Sequence, residues 1–144
     1  MTFDTKKMRT LAQGIELIEQ VQKDLGLSQK DIFTSIDAER SGGHPDLRVT
    51  NIPNGFSKTM LPFFTDGAAT FYLSSGAPNS VVPRHSHDEG AGIRFIVNGS
   101  IQYGDQLLRE GDWMFMPAGA EYEFNVGSTG VTMFYCYSCC CIQQ

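Results

Sequence analysis

The sequence predicts an all-β domain, a sandwich or a barrel, preceded by a short helical arm. Three observations carry that reading. From Leu47 onward, short apolar or alternating runs are separated by turn signals at close, even spacing, as in a sheet rolled up from many short strands. Between Lys6 and about Gly26, apolar residues recur at helical spacing instead. The chain has 144 residues, 41% hydrophobic and 19% charged, which supplies one packed core and leaves no length for a second.

The arm is expected to cover 1–40 and the barrel 41–144. Leu11, Ile15, Ile18, Val21 or Gln22, and Leu25 form the apolar face of a first helix, and Gly26 stops it, since glycine enters the left-handed conformation without steric cost. Ser28 followed by Asp31 reads as the start of a second, short helix with Ile32, Phe33 and Ile36 on its apolar side. Ser41-Gly42-Gly43-His44-Pro45 breaks the helical pattern and puts His44 in a turn. Strands are predicted at 47–52, 56–64, 68–74, 80–84, 92–98, 100–103, 106–109, 112–116, 121–126 and 130–137. The signals between them include Pro53-Asn54-Gly55, Asp66-Gly67, Asn98-Gly99, Gly104-Asp105 and Gly127-Ser128-Thr129-Gly130. No internal repeat or low-complexity run interrupts this order. The arm is too short to be a domain and is expected to pack on the barrel or on a partner subunit.

Composition restricts the partners. Eleven Lys and Arg against sixteen Asp and Glu give a net charge of −5, which argues against nucleic acid and against a basic membrane-surface protein. No window approaches the apolar length of a spanning helix, and MTFDTKKMRT lacks a signal-peptide core, so a cytoplasmic location is the expectation. The cysteines are Cys136, Cys139, Cys140 and Cys141. A disulfide framework would spread them along the chain, and a structural zinc site would separate them into pairs, so they read as a reduced tail prone to oxidation. Phe56, Met60, Leu61, Phe63 and Phe64 are too apolar for a solvated edge, which predicts a homodimer.

The chemistry is expected around His85 and His87. Two residues apart on a strand, both side chains point to one face, where two imidazoles can take adjacent positions around a divalent ion; the alternative is a pair of surface histidines. Gly76, Gly92 and Gly99 surround the pair, and Gly111-Asp112-Trp113-Met114-Phe115-Met116-Pro117-Ala118-Gly119-Ala120-Glu121-Tyr122 follows.

This arrangement resembles the paired motifs of the cupin superfamily. The first holds a Gly, an H-x-H pair, an acidic residue and a second Gly; the second reads G-x5-P-x-G-x2-H. The motifs span 76–126, and the barrel pattern extends to about 47–137. The resemblance implies a small RmlC-like jelly roll, also called a double-stranded β-helix, commonly dimeric, with a metal or substrate site inside. The family's acidic position falls at Gly92 and its second-motif histidine at Tyr122. Glu89 is then a candidate carboxylate ligand or a solvated loop acid. Tyr122 either ligates or only hydrogen-bonds the site. The implied cofactor is a divalent transition metal (Fe, Mn, Ni or Zn), with substrate completing its shell.

Arg94 is a second departure. It faces inward if Gly92 does, by period two, and its guanidinium must then pair with an internal acid or hold a substrate carboxylate or enolate. If the parity slips at Gly90-Ala91-Gly92, Arg94 snorkels to solvent. Tyr103 and Trp113 are candidates for lining the pocket.

The expected function is that of a small-molecule cupin enzyme of oxygenase, lyase, or isomerase/cyclase type. The segment around His85-Ser86-His87 is loosely similar to the acetophenone- and acetylacetone-cleaving dioxygenases. In the metal form, His85, His87 and Glu89 hold the ion, Tyr122 exchanges a proton and Arg94 orients an anionic group. In a metal-free form, His85 or His87 is the base and Tyr122 the acid, as the sugar-epimerising branch of the superfamily implies. The other class is a binding or regulatory cupin that has lost its catalytic ligands.

Overall fold

The computed structural model describes residues 3–7, 9–40, 43–65, 70–88 and 90–137. Glu89, Cys139, Cys140, Cys141 and the start of the strand expected at 68–74 lie outside them. The chain forms two compact units, Met1–Ser28 with Ala38–Phe64, and Gln29–Asp37 with Thr65–Gln144.

In the first unit, helix α1 spans Leu11–Leu25 after a 3-10 turn at Thr5–Lys7. Thr10 is the N-cap in place of the expected start near Lys6. Its hydroxyl accepts from the Gln13 N–H, and the Gln13 side chain accepts from the Thr10 N–H, a reciprocal cap that stabilises a helix start by about 1 kcal/mol. Gly26 ends the helix as expected, with φ +69°. The buried face is Ile18, Val21, Gln22 and Leu25, packed with Leu47 and Met60, while Leu11 is exposed. The Gln22 side-chain amide donates to the Pro62 carbonyl at 2.8 Å.

The strands expected at 47–52 and 56–64 do not form. A 3-10 turn covers Pro45–Leu47, and only an isolated bridge joins Arg48 to Thr59. A two-stranded ribbon without a further strand or sheet beside it is marginal, so pairing stops after one rung. His44 caps the turn by accepting from the Asp46 N–H, and its other ring nitrogen lies 2.8 Å from an Asp24 carboxylate oxygen. Phe63 is buried, whereas Phe56 is 72% exposed.

The second unit is an antiparallel sheet. Its strands are β1 (Phe33–Thr34), β2 (Thr70–Gly76), β3 (Val81–His85), β4 (Gly92–Tyr103), β5 (Gln106–Arg109), β6 (Trp113–Met116) and β7 (Tyr122–Tyr137). The order is β1-β6-β4-β7-β2, with β3 on β7 and β5 on β4. The helix expected from Ser28 is displaced. Phe33 and Thr34 instead pair with Phe115 and Met114, and helix α2 (Ser35–Arg40) begins after them. Thr34 caps α2, its N–H donating to the Asp37 carboxylate and its hydroxyl accepting from the Ile36 N–H. The hydroxyl also lies 2.9 Å from the Gln106 side-chain oxygen. Phe33 enters the sheet because Trp113 and Phe115 need a cover, and its ring centroid lies 5.9 Å and 5.0 Å from theirs.

Two expected turns are bulges inside long strands. Chain pairs predicted as 92–98 with 100–103, and 121–126 with 130–137, are the single strands β4 and β7. Ile96 and Ile101 are both buried, as are Val126 and Val131, so the inward parity flips in each strand between those residues. The β4–β7 register shifts at the same places. Gly99 carries the bulge with φ +79°; a Cβ there would sit 2.0 Å from the Gly130 carbonyl oxygen, so the strands approach more closely than any side chain permits. The inner face is packed by Ile96, Ile101, Leu108, Met114, Phe124 and Met133, among others.

Candidate functional site

Pairing within the second unit brings four of the sequence-predicted residues together. His85 ends β3 directly opposite Tyr122, the first residue of β7. Their ring centroids are 4.6 Å apart. His87 lies just beyond the strand, where its carbonyl accepts from the Gly119 N–H at 2.9 Å. Its ring is 5.1 Å from that of His85 and 6.2 Å from that of Tyr122. The two-residue spacing therefore sets the imidazoles side by side, although only His85 is within a strand.

Arg94 faces inward. Gly92 pairs with Met116 and Arg94 with Met114 on β6, so both belong to the inner-face row that continues to Ile96. The Arg94 side chain is 7% exposed, and its Nη2 donates to the Tyr122 hydroxyl oxygen at 3.1 Å. The guanidinium carbon lies 4.6 Å, 5.2 Å and 5.7 Å from the ring centroids of Tyr135, Phe124 and Tyr122. These aromatic faces hold the cation without neutralising it. Tyr135 and Phe124 were not singled out by sequence; strand parity alone would have placed Phe124 beside Tyr122.

The electrostatics follow. Partial burial, then the His85 ring and the Arg94 charge, hold the His87 imidazole below its ordinary pKa, so its neutral form is favoured. His85 Nδ1 lies 2.7 Å from the Pro83 carbonyl oxygen. A carbonyl only accepts, so Nδ1 carries the hydrogen and Nε2 of the neutral ring has the lone pair. Tyr122 accepts from Arg94, and a phenol hydroxyl that accepts can also donate its own hydrogen.

Two candidates lie elsewhere. Trp113 is one residue out of phase with Met114, on the face opposite Arg94, and packs edge-on against Phe33. Tyr103 packs on the inner core at the far end of β4 from Arg94; burial raises its phenol pKa, with Asp37 and Arg84 as its charged neighbours. Cys136 is a buried thiol, and burial pushes its pKa up.

A family profile described as ChrR Cupin-like domain matches residues 44–139, well over half of the chain. This chain belongs to the ChrR cupin-like family. None of the curated proteins matches this cupin. Among solved structures it is similar to a cupin-like protein from Ralstonia eutropha JMP134 at 21% identity, covering 49% of this chain and 47% of that one, with TM-score 0.45. A second Ralstonia eutropha protein, an RmlC-like cupin, gives 22% identity, 48% and 46% coverage and TM-score 0.44. An oxalate oxidase solved with glycolate gives 23% identity, 48% and 41% coverage and TM-score 0.41. The matched part spans about half the length of the first two structures.

The cupin fold raises the question of a resident metal, and the described residues do not fit one. His85 and His87 supply two imidazoles, the third position is Gly92, and the fourth is a phenol that already accepts from a guanidinium. No three His, Cys, Asp or Glu side chains come together among the described residues. A divalent ion beside these imidazoles would also face the Arg94 charge, at a site with half the usual protein ligands. Among the described residues no helix is long and apolar enough to cross a membrane.

Proposed function

We propose that this cupin is a small-molecule enzyme that takes a small oxygenated organic anion at Arg94 and Tyr122 and moves a proton without a resident metal. The observation that carries the reading is the buried Arg94 guanidinium, held among three rings and hydrogen-bonded to Tyr122, at the place where the family pattern puts metal chemistry. A guanidinium keeps its charge at any working pH and presents a planar fork that matches a carboxylate or enolate. The Tyr122 O–H then donates to a substrate oxygen, and a neutral imidazole beside it accepts a proton from carbon or oxygen. His87 is the better-placed base, because its surroundings favour the neutral ring.

The test is ligand-induced stabilisation of chelator-treated protein by oxalate, malonate and acetylacetone. At least one should raise the melting temperature, and Tyr122→Phe should weaken that ligand about tenfold, the scale of one hydrogen bond to a charged group. If no anion stabilises the metal-free protein, the reading fails. The alternative is a divalent metal on His85, His87 and Glu89 with dioxygenase-like chemistry; the closeness of the two imidazole rings favours it. One equivalent of Fe, Mn, Ni or Zn in purified protein, lost in H85A/H87A, would decide for it. We further propose a cytoplasmic homodimer, which light scattering and fractionation would check.

A further inference from the structure

We propose that the first unit carries a separate binding site for a small, multiply charged organic anion, with a diphosphate ester as the best-fitting class. The observation is a cavity of about 400 Å³ lined by four cations, Lys7, Arg9, Arg48 and Lys58. Its remaining lining is Val49, Thr50, Asn51 and Met60, so among the described residues no carboxylate lines it. The chain as a whole carries sixteen acids against eleven bases, which makes four cations around one hollow a local reversal of its charge.

The backbone builds this convergence. The Arg48–Thr59 bridge, with the Val49 N–H donating to the Lys58 carbonyl at 2.9 Å, sets Arg48 and Lys58 on adjacent segments. Asn51 then clamps the N-terminal segment: its Oδ1 accepts from the Asp4 N–H and its Nδ2 donates to the Asp4 carbonyl. That double hydrogen bond fixes the strand of chain leading to Lys7 and Arg9 beside the hollow. The Asp4 carboxylate turns to the Lys6 N–H. Among the described residues, none of the four cations takes part in a salt bridge.

Four like charges around one hollow repel one another, and an anion with about three charges relieves that repulsion. Arginine forks and lysine point charges both suit phosphate oxygens. Val49 and Met60 give a short apolar wall for the organic part. The volume lies at the small end of ligand sites, which limits the occupant to about mononucleotide size. This inference rests on the first unit alone and stands whether or not the barrel binds an anion.

The test is calorimetric titration of the full chain with sodium pyrophosphate, with citrate as the comparison, at low and at physiological salt. Saturable pyrophosphate binding is expected, tighter than citrate and weakened by salt. R48Q/K58Q should weaken it by at least about tenfold, the loss expected for charge-assisted hydrogen bonds. K30Q, in the second unit, should leave it unchanged. All four positions in the hollow are solvent-exposed, so the variants should keep the wild-type circular dichroism. The proposal is overturned if pyrophosphate shows no saturation below about 1 mM, if citrate binds more tightly, or if K30Q weakens binding as much as R48Q/K58Q.

Discussion

Replacing Arg94 by Met separates a site residue from a structural one. The hydrogen bond from the guanidinium to Tyr122 is worth roughly 1.5–3 kcal/mol to a charged donor. Its stacking on Tyr135 and Phe124 adds about 2 kcal/mol when water is excluded. Against these stands the cost of burying the charge, several kcal/mol per ion. Methionine has similar length, and its sulfur packs well on the same rings. The terms nearly cancel, so Arg94→Met should change unfolding free energy by no more than about 1 kcal/mol, or a few degrees in melting temperature for a chain of this size. The stabilisation by a bound carboxylate should disappear. Urea titration followed by the emission of Trp113, the single tryptophan, reads stability, and thermal shift reads binding. A loss near 3 kcal/mol with ligand binding intact would show that Arg94 holds the barrel together rather than serving its site.

Three further outcomes test the packing and electrostatics. Gly99→Ala should cost about 3 kcal/mol, combining about 1–2 for a left-handed residue with overpacking against the Gly130 carbonyl; Gly104→Ala, with positive φ but open space around it, should cost only about 1 kcal/mol. Thr34→Ala should destabilise by about 2 kcal/mol through the lost cap of α2 and the lost contact to Gln106, and Thr34→Ser should recover most of it in chemical unfolding. His87 has a depressed folded pKa, so its contribution is present above the ordinary imidazole value and is lost as pH falls below about 6.5 towards the folded pKa; the fall in melting temperature between pH 7.5 and 5.5 should be shallower in His87→Gln, and an unchanged slope would remove the burial argument.

The strand bracketed by the Gly104-Asp105 and Glu110-Gly111-Asp112 turn signals was legible. Gln106–Arg109 matched residue for residue, and the helix stop at Gly26 followed from local backbone chemistry. The segments 47–52 and 56–64 were misread because an apolar run shows strand propensity but does not show whether a partner sheet exists. Phe33 was assigned to a helix because its pull came from Trp113 and Phe115, about eighty residues away in sequence. Of the candidate site, the histidine spacing and the inward parity of Arg94 were legible locally, whereas the placement of Trp113 on the face opposite Arg94 depends on its register against β4.

The family, the all-β class and the pair of imidazoles follow from neighbouring residues alone, because glycine placement, period-two alternation and H-x-H spacing are local properties. Packing settles what local patterns leave open: Asn98-Gly99 continues a strand, a guanidinium sits against Tyr122, and four cations scattered between Lys7 and Lys58 share one hollow. Each of these depends on how closely distant backbone segments approach, and that distance is set by packing across the fold rather than by any local run of residues.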